Sequence, residues 1–242
     1  MGWPQITWIV LVVVGVVVHL LHHGQPTRIS FWASFSNALL VAWLLWCGGF
    51  FSAHAADQIP LNAERYQRTL TRTAQSEWGL DAPVATLAAQ IHQESRWNAN
   101  ARSPVGAQGL AQFMPSTADW IAQLYPNTLG TNEPWNPAWA MRAMVVYNRF
   151  NYQRITADSD CDRWAFTLSA YNGGLGWVQR DSRLAASRGL NPEVYWGAVE
   201  TVNAGRSAAN FRENRGYPKS IIHRWQPLYI DAGWGLGVCY AD

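Results

Sequence analysis

Residues 1–56 of this chain contain no aspartate, glutamate or lysine, and Arg28 carries the only full charge among them. Every acidic residue lies from Asp57 onward, so the composition changes abruptly at that point. A run that long without a carboxylate is unlike the surface of a soluble domain; the alternative is two helices buried in a soluble core. Taking Arg28 from the 18 basic residues leaves 17 against 16 acidic ones, and those 17 are dispersed. Near-neutral, unclustered charge excludes a nucleic-acid stripe, which needs grouped Lys and Arg to displace phosphate counterions. Metal-ligand spacings are missing as well: His22 and His23 adjoin an apolar run, His92 stands apart, and no His-Glu-x-x-His or Cys-x-x-Cys occurs. There is no phosphate loop or dinucleotide fingerprint, so neither a metal nor a cofactor is expected. Of the three cysteines, Cys47 lies among apolar residues, while Cys161 and Cys239 allow either one disulfide in an oxidising compartment or two free thiols. Alternating period-two runs, internal repeats and low-complexity linkers are also absent.

What fills the first 56 residues is two apolar runs, 6–21 and 31–51. A membrane-spanning helix needs roughly 20 mostly apolar residues, which makes the first run marginal and the second adequate. Arg28 sits in the connector between them; held on the cytoplasmic side, it would place both chain ends outside and export everything after Asp57. Ser52-Ala53-His54-Ala55, followed by Ala56, also resembles a signal-peptide cleavage site, so the second run is either a retained anchor or a removed leader. The expected organisation is a membrane anchor or signal region over 1–56 and one exported domain over 57–242.

That domain reads as mostly helical. Tyr66, Leu70, Ala74 and Trp78 recur at intervals of four, predicting a helix over 62–78 that Gly79 closes. Asp81 is the expected N-cap of a second helix, with Pro83 in its first turn, an apolar face of Val84, Leu87, Ala88 and Ile91, and an end near Glu94. Pro115 opens another helix up to Leu124, and a long one runs over 137–152. Further helices are expected at 162–171, 177–187, 191–202 and 218–229, separated by Gly-bearing turns.

Chemistry concentrates at Gln93-Glu94-Ser95-Arg96-Trp97-Asn98 and the stretch from Ser103 to Ala118. A carboxylate ending an apolar helix can sit at the rim of a cleft, where partial burial raises its pKa enough to donate a proton near neutral pH. The glycine-rich stretch that follows allows backbone to approach a bulky ligand closely. Read alone, a glutamate placed like Glu94 is more often a solvated helix-end residue than a catalytic one. Fifteen tryptophans offer ring faces for stacking on sugars, or simply fill a helical core.

The motif as written closely resembles the lytic transglycosylases related to goose-type lysozyme, glycoside hydrolase family 23. Their pattern is a Glu-Ser pair, then Ser-x-x-Gly-Ala-x-Gly-Leu-x-Gln-x-Met-Pro-x-Thr-Ala, matched here from Glu94-Ser95 through Ser103 to Ala118. A third block is matched by Ala170-Tyr171-Asn172-Gly173-Gly174 and a fourth, Glu-x-Arg-x-Tyr, by Glu213 to Tyr217. The resemblance implies an α+β, predominantly α-helical, lysozyme-like domain behind one or two transmembrane helices. It implies a peptidoglycan lytic transglycosylase that cleaves the β-1,4 bond between N-acetylmuramic acid and N-acetylglucosamine and leaves a 1,6-anhydromuramoyl end. Carried over by position, Glu94 is the catalytic acid and base. Ser103, Gln112, Met114, Tyr171 and Asn172 bind substrate, with the Tyr171 hydroxyl near the carboxylate, while Ser95 and Glu213 give support. Glu213 has the alternative of a salt bridge to Arg215. Two positions depart from the pattern: Ala111 stands where Met is usual, reshaping a groove wall, and Trp97 where Phe is usual.

On this reading the enzyme acts without cofactor, either held at the inner membrane facing the periplasm or released there after cleavage near Ala55. It would serve phage-type host lysis, as an endolysin, or bacterial wall remodelling. A hydrolytic muramidase on the same scaffold would need a second carboxylate from Asp119, Asp162 or Glu213. A membrane-anchored glycan-binding protein would need no poised acid.

Overall fold

The computed structural model describes residues 58–239, so the candidate spans 6–21 and 31–51 lie outside the described residues. Among the described residues, no helix is long and apolar enough to cross a membrane. A 3-10 turn, Leu61–Ala63, leads into α1, Glu64–Trp78. Leu70 and Ala74 are buried, and Tyr66 and Trp78 pack half-buried against the core, as the four-residue spacing requires. Gly79 stops the helix at φ 85°, its N–H bonded to the Gln75 carbonyl.

Helix α2, Val84–Ser95, occupies the centre, with every residue from Val84 to His92 buried. Ala85, Ala88 and Ala89 keep it thin enough for neighbours to close on all sides. Its N-cap is Pro83, with no side-chain cap; the expected cap, Asp81, lies exposed upstream, because Pro83 sets the backbone angle at the helix entry and displaces the capping position.

Helices α3 (Pro115–Leu124), α4 (Pro126–Leu129) and α5 (Pro137–Tyr152) follow. Asn136 caps α5 by accepting from the Ala138 and Trp139 amides. Helix α6, Asp160–Gly173, is capped by Ser159, and α7 spans Leu175–Ser187. Helix α5 packs on α1 and α6, and α6 also packs on α7.

The helix expected over 191–202 is replaced by turns and a 3-10 segment, Val199–Thr201. Asp162 Oδ1 takes the amides of Tyr195 at 2.8 Å and Trp196 at 3.2 Å, so donors that a helix would use inside itself are bound by a side chain instead. The helix expected over 218–229 begins earlier, as α8, Ala208–Lys219, capped by Ser207, with Pro218 inside it. It continues as a π-helical segment, Ser220–Trp225, and then α9, Gln226–Asp231. The widened turns lie between Pro218 and Pro227, whose missing N–H groups interrupt the α-helical ladder. The π segment and α9 pack against α2.

No β-strand occurs among the described residues, so the β component of the expected α+β class is not formed there. Only isolated bridges link Arg102 to Gln108 and Gln108 to Phe113. Left-handed turns at Gly106, Gly109 and Gln112 bend this loop too often for a ladder to propagate. Cys161, at the start of α6, is bonded to Cys239 and ties the C-terminal segment down.

Candidate active site

Glu94 lies in the last turn of α2, where the chain reverses through two successive left-handed residues, Arg96 (φ 49°) and Trp97 (φ 63°). Side-chain-bearing residues seldom hold this conformation, and here tertiary contacts impose it. The Trp97 indole is fully buried, donates from Nε1 to the Tyr229 hydroxyl at 2.5 Å and stacks on Tyr66 at 5.9 Å. Its carbonyl accepts from Asn62 at 2.7 Å. A tryptophan in place of phenylalanine thus gains a partner for its added N–H.

Beyond this reversal opens a pocket of about 570 Å³ lined by Glu94, Ser103, Gln112, Met114, Tyr171, Asn172 and Glu213, together with Phe113, Thr117 and Tyr147. These seven residues come from four separate sequence blocks. Ser95 is not among the lining residues; its hydroxyl bonds back to the Ile91 carbonyl at 3.4 Å.

Glu94 is half-buried at the edge of the pocket. Burial is the main reason its pKa is pushed up to about 8; Glu213 adds to the rise, and a hydrogen bond from Tyr217 opposes it. The Tyr217 hydroxyl donates to Glu94 Oε1 and accepts from Gln90 Nε2 at 3.2 Å. Gln90 Oε1 in turn accepts from Asn148 at 2.6 Å. Asn148, Gln90 and Tyr217 are all buried, so the carboxyl is oriented by a buried polar chain running through the core. Tyr217 belongs to the fourth sequence block, where the resemblance gives it no role.

The loop wall is built by its own hydrogen bonds. Ser103 Oγ accepts from the Ala107 amide at 2.9 Å, and Gln112 Nε2 donates to the carbonyls of Ala101 (3.1 Å) and Gly109 (2.8 Å). Gln112 Oε1 is left outside these bonds. At Gly109 (φ 73°) a Cβ would lie 2.0 Å from the Pro134 carbonyl oxygen, so only glycine fits. The Tyr171 hydroxyl donates to the Ala111 carbonyl at 2.8 Å, fastening α6 to the loop, and its own pKa is raised by burial and by the charge of Glu94. Ala111 itself is fully buried and does not line the pocket.

Glu213, on α8, accepts from Asn172 at 3.4 Å. Arg215 pairs instead with Asp181, at 2.8 Å, so the alternative Glu213–Arg215 bridge is not formed. Of the other carboxylates, Asp119 is exposed and accepts from Asn132, and Asp162 is bound to backbone amides. His92 packs on Trp225 at 4.1 Å, with Nδ1 3.0 Å from the Tyr229 hydroxyl.

Residues 70–193 match the family described as the transglycosylase SLT domain. A membrane-bound lytic murein transglycosylase F from Shewanella pealeana is 35% identical over 140 residues, 57% of this chain and 26% of that protein. A soluble lytic murein transglycosylase from Salmonella typhimurium is 29% identical over 204 residues, 82% of this chain and 27% of its own length. Among solved structures, the 70 kDa soluble lytic transglycosylase of Escherichia coli is similar with a TM-score of 0.54 at 24% identity, over 84% of this chain and 29% of that one. An inactive glutamate-to-glutamine mutant of lytic transglycosylase Slt from Pseudomonas aeruginosa has a TM-score of 0.56 at 19% identity, over 84% of this chain and 30% of its own. At these identities the structural likeness speaks for the fold. The chain spans less than a third of the length of each of these relatives.

Proposed function

The chain belongs to the transglycosylase SLT domain family, and from that premise we propose that it is a lytic transglycosylase cutting the β-1,4 bond between N-acetylmuramic acid and N-acetylglucosamine in peptidoglycan. The observation that carries the reading is the half-buried carboxyl of Glu94, held by Tyr217 at the edge of a pocket large enough for a sugar. With its pKa near 8, Glu94 is protonated at neutral pH and can donate to the leaving glycosidic oxygen. The resulting carboxylate, stabilised by the Tyr217 hydroxyl, then takes the proton of the C6 hydroxyl as that oxygen closes on C1. One side chain performs both transfers, and no water enters the product. The positive character at C1 falls to the substrate's own acetamido group, as in substrate-assisted glycosidases. Ser103 and Gln112, fixed by backbone bonds, would contact acetamido and hydroxyl groups, Met114 would pack on a ring, and Asn172 and Glu213 would hold the opposite wall.

The test is product analysis of digested walls, with 1,6-anhydro ends expected. Glu213 lines the same pocket and favours a second reading, hydrolysis with Glu213 activating water; reducing ends would establish that one instead.

We also propose that 1–56 is the anchor or signal region and 57–242 the catalytic domain, placed at the inner membrane or released into the periplasm. The composition of 1–56 supports this, as do relatives named membrane-bound. The N-terminal residue of the mature protein, read by mass spectrometry, separates the two: a start at Ala56 means release, whether in phage-type lysis or in wall remodelling.

A further inference from the structure

Asp181, on α7, is fully buried and accepts from Arg206 Nη1, from Arg215 Nη2 at 2.8 Å and from the Ala204 amide at 2.9 Å. Asp181 thus shares its one charge between two guanidinium groups. Arg215 spends its other donors on the carbonyls of Val199, Glu200 and Val202 and on Asn214. Arg206 does not: it is 8% exposed, and its Nη2 is buried without a partner. A guanidinium N–H shielded from water and left unbonded is costly, and its presence calls for an acceptor brought from outside.

Arg206 borders a hollow of about 350 Å³ that shares Asn172, Gly173 and Glu213 with the Glu94 pocket. Trp177 lines it and lies against the guanidinium at 5.1 Å. Ser207 and Asn210 bring the positive end of α8 to the same hollow. A Cβ at Gly173 would come within 3.5 Å of Arg206 Nη2 and 2.6 Å of Asn214 Nδ2, so glycine keeps this approach open. Glu213 is the one acidic residue lining the hollow; it stands on the shared wall and accepts from Asn172.

We propose that this hollow is an anion subsite, in which Arg206 Nη2 and the N-terminus of α8 hold a carboxylate of the substrate beside the bond being cut. The inference rests on the reading of peptidoglycan as substrate, and the carboxylate is that of the peptide stem carried on the muramoyl lactyl ether. A neutral acetamido oxygen could accept the same hydrogen bond, but a charged donor left unbonded on Arg206 and the helix terminus favour an anion.

Calorimetric titration of the Glu94→Gln protein with a peptide-bearing tetrasaccharide, and with the same compound after amidation of its carboxylates, separates charge from shape. Amidation is expected to weaken binding roughly tenfold. Arg206→Gln should remove the difference. Because Arg206 also holds Asp181, a second variant is Asn210→Trp, at an exposed position that narrows the hollow while leaving the Asp181 cluster in place. It should bring the carboxylate form to the affinity of the amidated one with unchanged circular dichroism. Equal binding of the two forms by the Glu94→Gln protein overturns the subsite and leaves the cleavage reading intact. Binding of neither form overturns both. Parent enzyme that releases no anhydro ends, with the charge preference intact, overturns the transglycosylase reading alone.

Discussion

The surroundings of Glu94 raise its pKa, and the shift has a thermodynamic consequence. Its folded pKa of about 8 lies above the ordinary value of 4.5, so the fold holds the proton more tightly than the unfolded chain does. Stability is therefore highest below pH 4.5 as far as this group is concerned, and it falls as pH rises towards 8. Replacement by glutamine, which keeps the shape and cannot donate the proton, should raise the melting temperature at pH 8 and lose that advantage near pH 4.5, read by thermal unfolding at both. The same substitution should lower wall clearing by about 10²–10⁴-fold, the range for a lost general acid. In the parent enzyme kcat/KM should decline as pH rises through about 8, because only the neutral carboxyl donates. Tyr217→Phe removes the hydrogen bond that favours the carboxylate. The basic limb of the pH profile should then move upward and kcat should drop, since the second proton transfer needs the ionised form. A profile unchanged from the parent would remove Tyr217 from the mechanism.

At the scale of elements, the site depends on α2 being sealed on all sides. The π segment lies along it, with Trp225 stacked on His92 and donating to Gln93 at 2.7 Å, one residue before Glu94. Tyr217 reaches Glu94 from the α-helical turn just before that segment. The two prolines thus do more than interrupt hydrogen bonding: the wider turns between them set where side chains meet α2. The opposite wall is the 103–114 loop, whose approach to Pro134 tolerates no Cβ at Gly109. Gly109→Ala combines a backbone clash with a left-handed φ and should cost about 2 kcal/mol or more by chemical denaturation. Wall clearing should fall with it, because Ser103 and Gln112 are positioned by bonds within that loop.

For the whole molecule, the Cys161–Cys239 bond closes a separation of 78 residues and joins the last described segment to α6. Gln226 holds that segment too, donating to the Val238 carbonyl at 2.8 Å and accepting from its amide at 3.0 Å. Opening the disulfide, by reduction or by Cys161→Ser, should cost about 2–4 kcal/mol through the freed unfolded chain. Activity at low temperature should survive, since neither cysteine lines the Glu94 pocket. Loss of cutting without loss of stability would mean that the C-terminal segment shapes the site directly.

Local order determined much of this protein. Four-residue spacing in 62–78 yields α1, Pro115 and Asn136-Pro137 mark the starts of α3 and α5, and ordered blocks assign Glu94, Ser103, Gln112, Met114, Tyr171, Asn172 and Glu213 to a common pocket. Each of these rests on contacts within a few residues or on a motif of fixed spacing. Tertiary structure decided the rest. Asp162 claims the amides that would have made 191–202 helical, and the sequence cannot tell which donors a distant carboxylate will take. The helix through Pro218 forms because Asn214, Tyr217 and Ile221 are buried against the core, outweighing the local penalty of a proline. Cys161 and Cys239 bond because the fold brings them together. Above all, composition leaves Glu94 between a surface charge and a proton donor. Its burial raises its pKa, and its bond to Tyr217, 123 residues away in the chain, orients it and offsets part of that rise, because a carboxyl group's pKa is set by the neighbours it meets in space.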